Sequence, residues 1–376
     1  MVGGKKMNLF RIDRRLLANF DFVLLILLLL VCAAALSNLY SASYPPKSLS
    51  ATPYLKQGIF LLMGFAVFLV VISVDYRELL FWNYPFYFLI ILLLVLMYFI
   101  GYEANGSQRW INLGFFKLQP SEPAKLMMVI TLASYYSRKE VVDGYSLKQL
   151  VVPLILTGVP FLLILLQPDL GTAMMLAIIF VSMTIFVRLK LSTYLILGTT
   201  AIALVVVAWE KVLKPYQKQR IQTFLHPEDD PMGNGYQILQ SKIAVGSGGK
   251  FGKGYLEGTQ GHLHFLPERH TDFAFAVWGE EWGFVGSFIF LGLYFALLIW
   301  GLYIAMNARD RFGVLLAFGV VILIFWQAVI NLLMILGFLP VVGIPLPLVS
   351  YGGSSLMTTM ICFAILMNVR MRRFQP

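Results

Sequence analysis

The stretch Phe265-Leu266-Pro267-Glu268-Arg269-His270-Thr271-Asp272-Phe273 packs four titratable groups into five positions and then runs into apolar sequence. Asp272 falls where water gives way to hydrocarbon. Desolvation there disfavours its charged form, whereas Arg269 and His270 favour it. A carboxylate so placed suits a general base, provided a substrate hydroxyl can reach it. The plain alternative is a helix N-cap. Glu280 and Glu281 follow on the same apolar run. They either line the same vestibule or pair with Lys or Arg.

Glu122 and Lys125 stand three apart, just inside another apolar run. Charges within a bilayer are costly and face a partner or a wet cavity. At this spacing each is the other's partner, so the pair is either a structural tie or a polar wall of a substrate cavity. Arg109, in Gly106-Ser107-Gln108-Arg109-Trp110, has the forked geometry that holds a phosphate by two bonds. Trp110 also suits the aromatic belt of a membrane interface.

Further basic residues, including Arg220 and Lys242, lie in a connection spanning 211–271. This is either a solvated loop or a basic surface that concentrates an anionic substrate. Inside it, Gly246-Ser247-Gly248-Gly249-Lys250-Phe251-Gly252-Lys253-Gly254 fails the phosphate-loop pattern. Ser247 replaces the first glycine and Gly254 replaces the Ser/Thr, which leaves a flexible, basic turn. Pro345–Ser355 is an uncharged loop whose Pro and Gly fix turns.

These residues need a scaffold, and the composition says which. The chain has 376 residues, 59% of them hydrophobic and 13% charged, against roughly 25% charged in soluble domains. A hydrocarbon core of about 30 Å demands about 20 apolar residues per helix, and backbone groups in lipid must bond within the segment. Ten such runs lie near 20–40, 53–74, 79–100, 121–137, 150–166, 170–187, 191–209, 274–305, 312–337 and 351–369. The expected fold is all-α and polytopic, a single membrane domain over 1–376. The first run follows a basic stretch but is long for a signal peptide and lacks a clear cleavage site, so it reads as a retained span.

With both termini in the cytoplasm, Lys5, Arg14, Arg77, Arg138, Arg188, Arg309, Arg311 and Arg370 all fall inside, while the short outer loops hold only Lys47, Lys56, Arg109 and Lys117. That is the positive-inside pattern, and long loops such as 211–271 cross regardless of charge. The net charge of +10 therefore flanks helices rather than marking a nucleic-acid binder. Cys32 and Cys362 both sit inside spans, which excludes a disulfide framework and leaves two small packers. Gln119-Pro120-Ser121-Glu122 and Gln167-Pro168-Asp169-Leu170 each open a span from the outer face, with Ser121 and Asp169 as expected N-caps.

In order, Gly106–Trp110, Gln119–Lys125, Gln167–Thr172, Tyr216–Ile221, Phe265–Phe273 and Pro345–Ser355 resemble the motifs of the SEDS family of bacterial cell-wall proteins. The resemblance covers nearly the whole chain. Arg269 within Glu268–Asp272 favours the elongation-type RodA branch, because the division-type branch typically has alanine there.

The resemblance implies a peptidoglycan glycosyltransferase that polymerises lipid II into glycan strands on the outer face of the cytoplasmic membrane. Asp272 matches the family's essential aspartate, and Glu122 with Lys125 its intramembrane ion pair. Asp272 is then the base for the acceptor's 4-hydroxyl, and direct in-line displacement inverts the donor anomeric carbon. Arg109, Arg220, Lys242 and Arg269 are candidates to stabilise the departing pyrophosphate, with Glu268 and His270 beside them; a divalent cation, Mg or Mn, is a further candidate. The implied partners are the growing glycan strand, membrane lipid, a class B penicillin-binding protein that crosslinks the strand, and other elongation-complex proteins.

Two readings compete. A transporter or lipid II flippase also uses intramembrane charges, but the distinctive polar residues gather on one side, and inverted repeats are not visible. A scaffold that only positions a partner would lack polymerising activity even beside that partner. A division-type polymerase is the alternative within the family.

Overall fold

The computed structural model describes residues 19–44, 52–100, 102–104, 107–112, 114, 117–139, 141, 143–207, 210–211, 215–230, 233–263 and 265–374. Among the described residues, helices occupy all ten predicted spans. They are α1 (Phe22–Ala42), α2 (Pro53–Ser73), α3 (Glu78–Ile100), α4 (Ser121–Arg138), α5 (Leu147–Leu166), α6 (Leu170–Phe186), α7 (Leu191–Val207), and, after the long connection, α10 (Ala274–Met306), α11 (Arg311–Ile335) and α12 (Gly353–Met371). The connection is itself helical, with α8 (Pro215–Leu225), α9 (Asn234–Ser247) and a single turn at Thr259–His262. A small antiparallel sheet, β1 (Tyr102–Ala104), β2 (Ser107–Asn112) and β3 (Lys117–Leu118), fills the outer loop before α4.

Local sequence sets the helix starts. Asp21, Asp169 and Asp310 accept from Leu24, Thr172 and Gly313 backbone N–H groups at the starts of α1, α6 and α11, each satisfying an otherwise orphaned donor. The start of α4 differs from the expectation. Pro120 holds its N-cap position, Ser121 lies one residue inside, and no side chain caps it.

Burial separates inner from outer helices. The central window of α12 is 83% buried and that of α11 61%, against 17% for α3. With α4, whose residues are nearly all buried, α11 and α12 form the middle of the bundle, and the apolar outer faces of α2, α3 and α5 meet lipid. At the cytoplasmic end, Arg370 pairs with Asp21, Arg372 with Asp75, and Arg77 with Asp310. These ties join both ends of the chain to the same face, as an even number of spans requires.

The α10 span is two helices in one. Gly283 breaks it, with φ 60° and ψ −161°, a region open essentially to glycine alone. The glycine-rich segment fills the break. Lys253 and Gly254 N–H groups donate to the Glu280 and Glu281 carbonyls, while Phe284 and Val285 N–H groups donate to Gly249 and Lys250. The loop thus satisfies groups that a broken helix would leave bare in a dry interior. A Cβ on Gly252 would lie 2.0 Å from the Glu281 carbonyl oxygen. The segment expected to be a flexible turn is a close-packed plug.

Candidate active site

The motif around Asp272 forms a tight turn ahead of α10. Thr271 and Phe273 N–H groups both donate to the Glu268 carbonyl, and the Thr271 hydroxyl donates to the Glu268 carboxylate at 2.7 Å. The N-cap position of α10 belongs to Phe273, so capping does not account for Asp272. Asp272 is half-buried while Phe273 and Ala274 beyond it are sealed. Its carboxylate faces Gly343: a Cβ there would lie 3.7 Å from Oδ2.

Three elements frame this position. From α11, the buried Asn331 side chain donates to the carbonyls of Asp272 and Ile344, each at 2.8 Å. From the loop before α12, the Tyr351 N–H donates to the His270 carbonyl at 2.8 Å. From α2, Gln57 donates to the Ser350 carbonyl and accepts from the Gly352 N–H. The Ser350 hydroxyl in turn accepts from the Leu346 N–H. Pro345–Ser355, read as an uncharged loop, is thus a braced arch that ties the acid's turn to α2 and α11. It reaches α4 as well, because Ser354 bridges the Gln119 N–H and the Lys117 carbonyl.

The predicted basic residues divide. Arg220 donates to the Val341 carbonyl at 3.2 Å, two residues from Gly343, so α8 brings its guanidinium to the same loop as Asp272. Lys242 on α9 lies against Gly337 at the start of that loop. Arg109 lies on β2, and its side chain falls outside the described residues. Arg269 departs from the expectation of a phosphate ligand. It is 7% exposed, and donates through Nε to the Ala42 carbonyl at 2.7 Å and through Nη1 to the Gly261 carbonyl. Burial lowers its pKa. Its fork closes the C-terminus of α1 against the outer loop.

Glu122 and Lys125 pair at 2.7 Å with side chains 5% and 2% exposed. They are sealed between α4 and α12, beside Cys362, and face no open space in this conformation. Glu280 takes the paired alternative, accepting from Lys253 at 2.6 Å and from the Thr259 and Gln260 N–H groups; Glu281 accepts instead from the Ser41 hydroxyl. Among the described residues there is no group of three His, Cys, Asp or Glu that could hold a metal ion.

Sequence reasoning passed over Asn331, Gln57 and Asn38, the last of which donates to the Ala274 carbonyl at 2.9 Å. Each is a lone carboxamide in an apolar run. The cost of burying such a group is the signal that could have found them.

The family model for FtsW, RodA and SpoVE, described as a cell cycle protein, matches residues 17–375. The chain belongs to the FtsW/RodA/SpoVE family. The peptidoglycan glycosyltransferase MrdB of Escherichia coli strain K12 is 42% identical over 314 residues, 83% of this chain and 84% of that protein. A probable peptidoglycan glycosyltransferase FtsW of Trichlorobacter lovleyi is 39% identical over 363 residues, 94% and 93% of the two chains. Among solved structures, one from a study of polymerization and crosslinking by a peptidoglycan synthase complex has a TM-score of 0.81 at 34% identity, covering 95% of this chain and 99% of that one. The rod shape determining protein RodA of Thermus thermophilus has a TM-score of 0.71 at 30% identity, covering 95% and 98%. The chain is a multi-pass protein of the bacterial inner membrane, as its apolar helices and these family relatives indicate.

Proposed function

We propose that this chain is an elongation-type peptidoglycan glycosyltransferase that joins lipid II units at the outer face of the membrane. The observation that carries the reading is the half-buried Asp272, its turn tied by hydrogen bonds to α11 and to the loop before α12, with its carboxylate beside Gly343. Its relatives are named for the same activity.

In this reading the Asp272 carboxylate takes the proton of the acceptor sugar's 4-hydroxyl. The freed oxygen attacks the donor anomeric carbon as its bond to the pyrophosphate oxygen breaks. The new linkage is inverted, and undecaprenyl pyrophosphate departs with the electron pair. Arg220, which reaches the loop that carries Gly343, is the first candidate cation for that developing charge, with Lys242 and Arg109 as the others. Glu268 and His270 shape the acid's turn, and the Glu122–Lys125 pair is a buried tie within α4. A divalent cation would enter with the pyrophosphate it neutralises. The loop 211–271 forms the outer wall of a single membrane domain.

A class B penicillin-binding protein is the proposed partner, with other elongation-complex proteins beyond it. The similarity to a chain from a complex that coordinates polymerization with crosslinking supports this.

The test is glycan polymerisation from labelled lipid II by purified protein, with and without that partner. Wild type is expected to form polymer and folded Asp272→Asn to form none. Polymer at a near-normal rate from Asp272→Asn would remove the base assignment, and lipid II translocation without polymer would replace the activity itself.

A further inference from the structure

The cytoplasmic end of the bundle carries a second charged site, on the opposite face of the membrane from the Asp272 motif. Where the ends of α3, α4 and α11 meet, a cavity of about 550 Å³ opens. It is lined by Arg77, Ser137, Arg138, Arg309, Asp310 and Arg311 and floored by apolar side chains. Four arginines stand against one aspartate. That aspartate is already engaged: Asp310 accepts from the Gly313 N–H at 2.7 Å, from Arg77 at 3.3 Å and from the Tyr76 hydroxyl. Arg138 is held open by one bond to the Leu80 carbonyl and by the Tyr84 ring beneath it. The surplus is positive, and guanidinium forks match phosphate oxygens in pairs.

Beside the cavity runs an apolar groove of about 310 Å³ between α2, α3, α4 and α12, lined by Val70, Val71, Phe86, Ile130, Ile361 and Ile365 among others. The first turn of α3 divides the two. Tyr76 and Leu79 line the groove, and Arg77 and Leu80 line the cavity. A basic cavity with room for a phosphate headgroup, next to an apolar groove at the cytoplasmic end of the bundle, has the polarity of a phospholipid. Basic pockets between spans on the cytoplasmic side favour anionic headgroups, and the inner leaflet supplies them.

We propose that the Arg77–Arg138–Arg309–Arg311 cavity binds the phosphate headgroup of an anionic phospholipid of the inner leaflet, with an acyl chain along the adjoining groove. The site is independent of the polymerase reading, since neither its residues nor its membrane face are shared with Asp272. Occupied, it would fasten α3, α4 and α11 together at their inner ends.

The experiment is native mass spectrometry of the full-length protein in detergent, titrated with phosphatidylglycerol, cardiolipin or phosphatidylethanolamine. Wild type is expected to retain the two anionic lipids over phosphatidylethanolamine. R309Q/R311Q is expected to bind them about 30-fold more weakly, from about 1 kcal/mol per basic residue. K148Q/K190Q, which removes two exposed cytoplasmic charges elsewhere, is expected to leave the preference intact. R309K/R311K keeps the charge without the fork and is expected to fall between wild type and R309Q/R311Q. Equal retention of all three lipids overturns the proposal, as does an unchanged preference in R309Q/R311Q. Displacement of the lipid by millimolar inorganic phosphate or glycerophosphoglycerol would assign the cavity to a soluble phosphate instead, and equally overturns it.

Discussion

The Asn331 side chain donates to the backbone carbonyl of Asp272 at 2.8 Å, and the same amide nitrogen donates to Ile344 on the facing loop at the same distance. One buried carboxamide therefore sets how far the proposed base stands from the arch that faces it. Asn331→Ala leaves both carbonyls without this donor. We expect the polymerisation rate constant to fall about 100-fold, the scale of a 1 Å misplacement, with a smaller change in KM. Asn331→Ala within twofold of wild type in lipid II polymerisation would show that the arch holds its place without it.

Arg269→Ala tests a structural clamp against a phosphate ligand. Losing two charge-assisted bonds costs about 3–6 kcal/mol, so the thermal midpoint in detergent should drop sharply and yield with it. A variant with unchanged thermal stability but weakened lipid II binding would return Arg269 to the donor site.

The glycine-rich plug predicts opposite outcomes for two neighbouring glycines. Gly252 has φ +82°, and a Cβ there meets the Glu281 carbonyl, whereas a Cβ on Gly246 meets nothing within 4 Å. Gly252→Ala should abolish folded protein, and Gly246→Ala should be neutral or stabilising by up to about 1 kcal/mol. Size-exclusion profiles of the two, expressed side by side, decide it; equal behaviour contradicts the plug.

Breaking the sealed Glu122–Lys125 pair from one side strands a buried charge, at a cost of about 3–5 kcal/mol. Lys125→Met should therefore be unstable, and Glu122→Gln/Lys125→Met should regain most of the loss in thermal unfolding. Polymerisation is expected to return with stability. A double variant that folds but stays inactive would place the pair in contact with substrate.

All ten spans were readable in the sequence, because a bilayer imposes a length and a polarity that no tertiary contact can override. Asp272 stood out for a related reason, since a run of charge abutting hydrocarbon needs an explanation, and its role as base is the proposal made above. The bonds of Arg269 were not legible, because its acceptors lie on Ala42 and Gly261, and nothing local says that a backbone carbonyl 227 residues away will claim a guanidinium. The glycine-rich segment looked mobile for the same reason. Its partners are the carbonyls of Glu280 and Glu281, exposed only because Gly283 breaks the helix. Ser121 had the right side chain for a cap, but Pro120 takes the N-cap position.

The strands of backbone hydrogen bonds that cross from Gly249–Gly254 into the break at Gly283 make the outer loop and the first half of α10 one mechanical piece. That half-helix starts at Ala274, two residues after Asp272. A pull on the loop would therefore reach the first half of α10, and with it the turn that carries the proposed base.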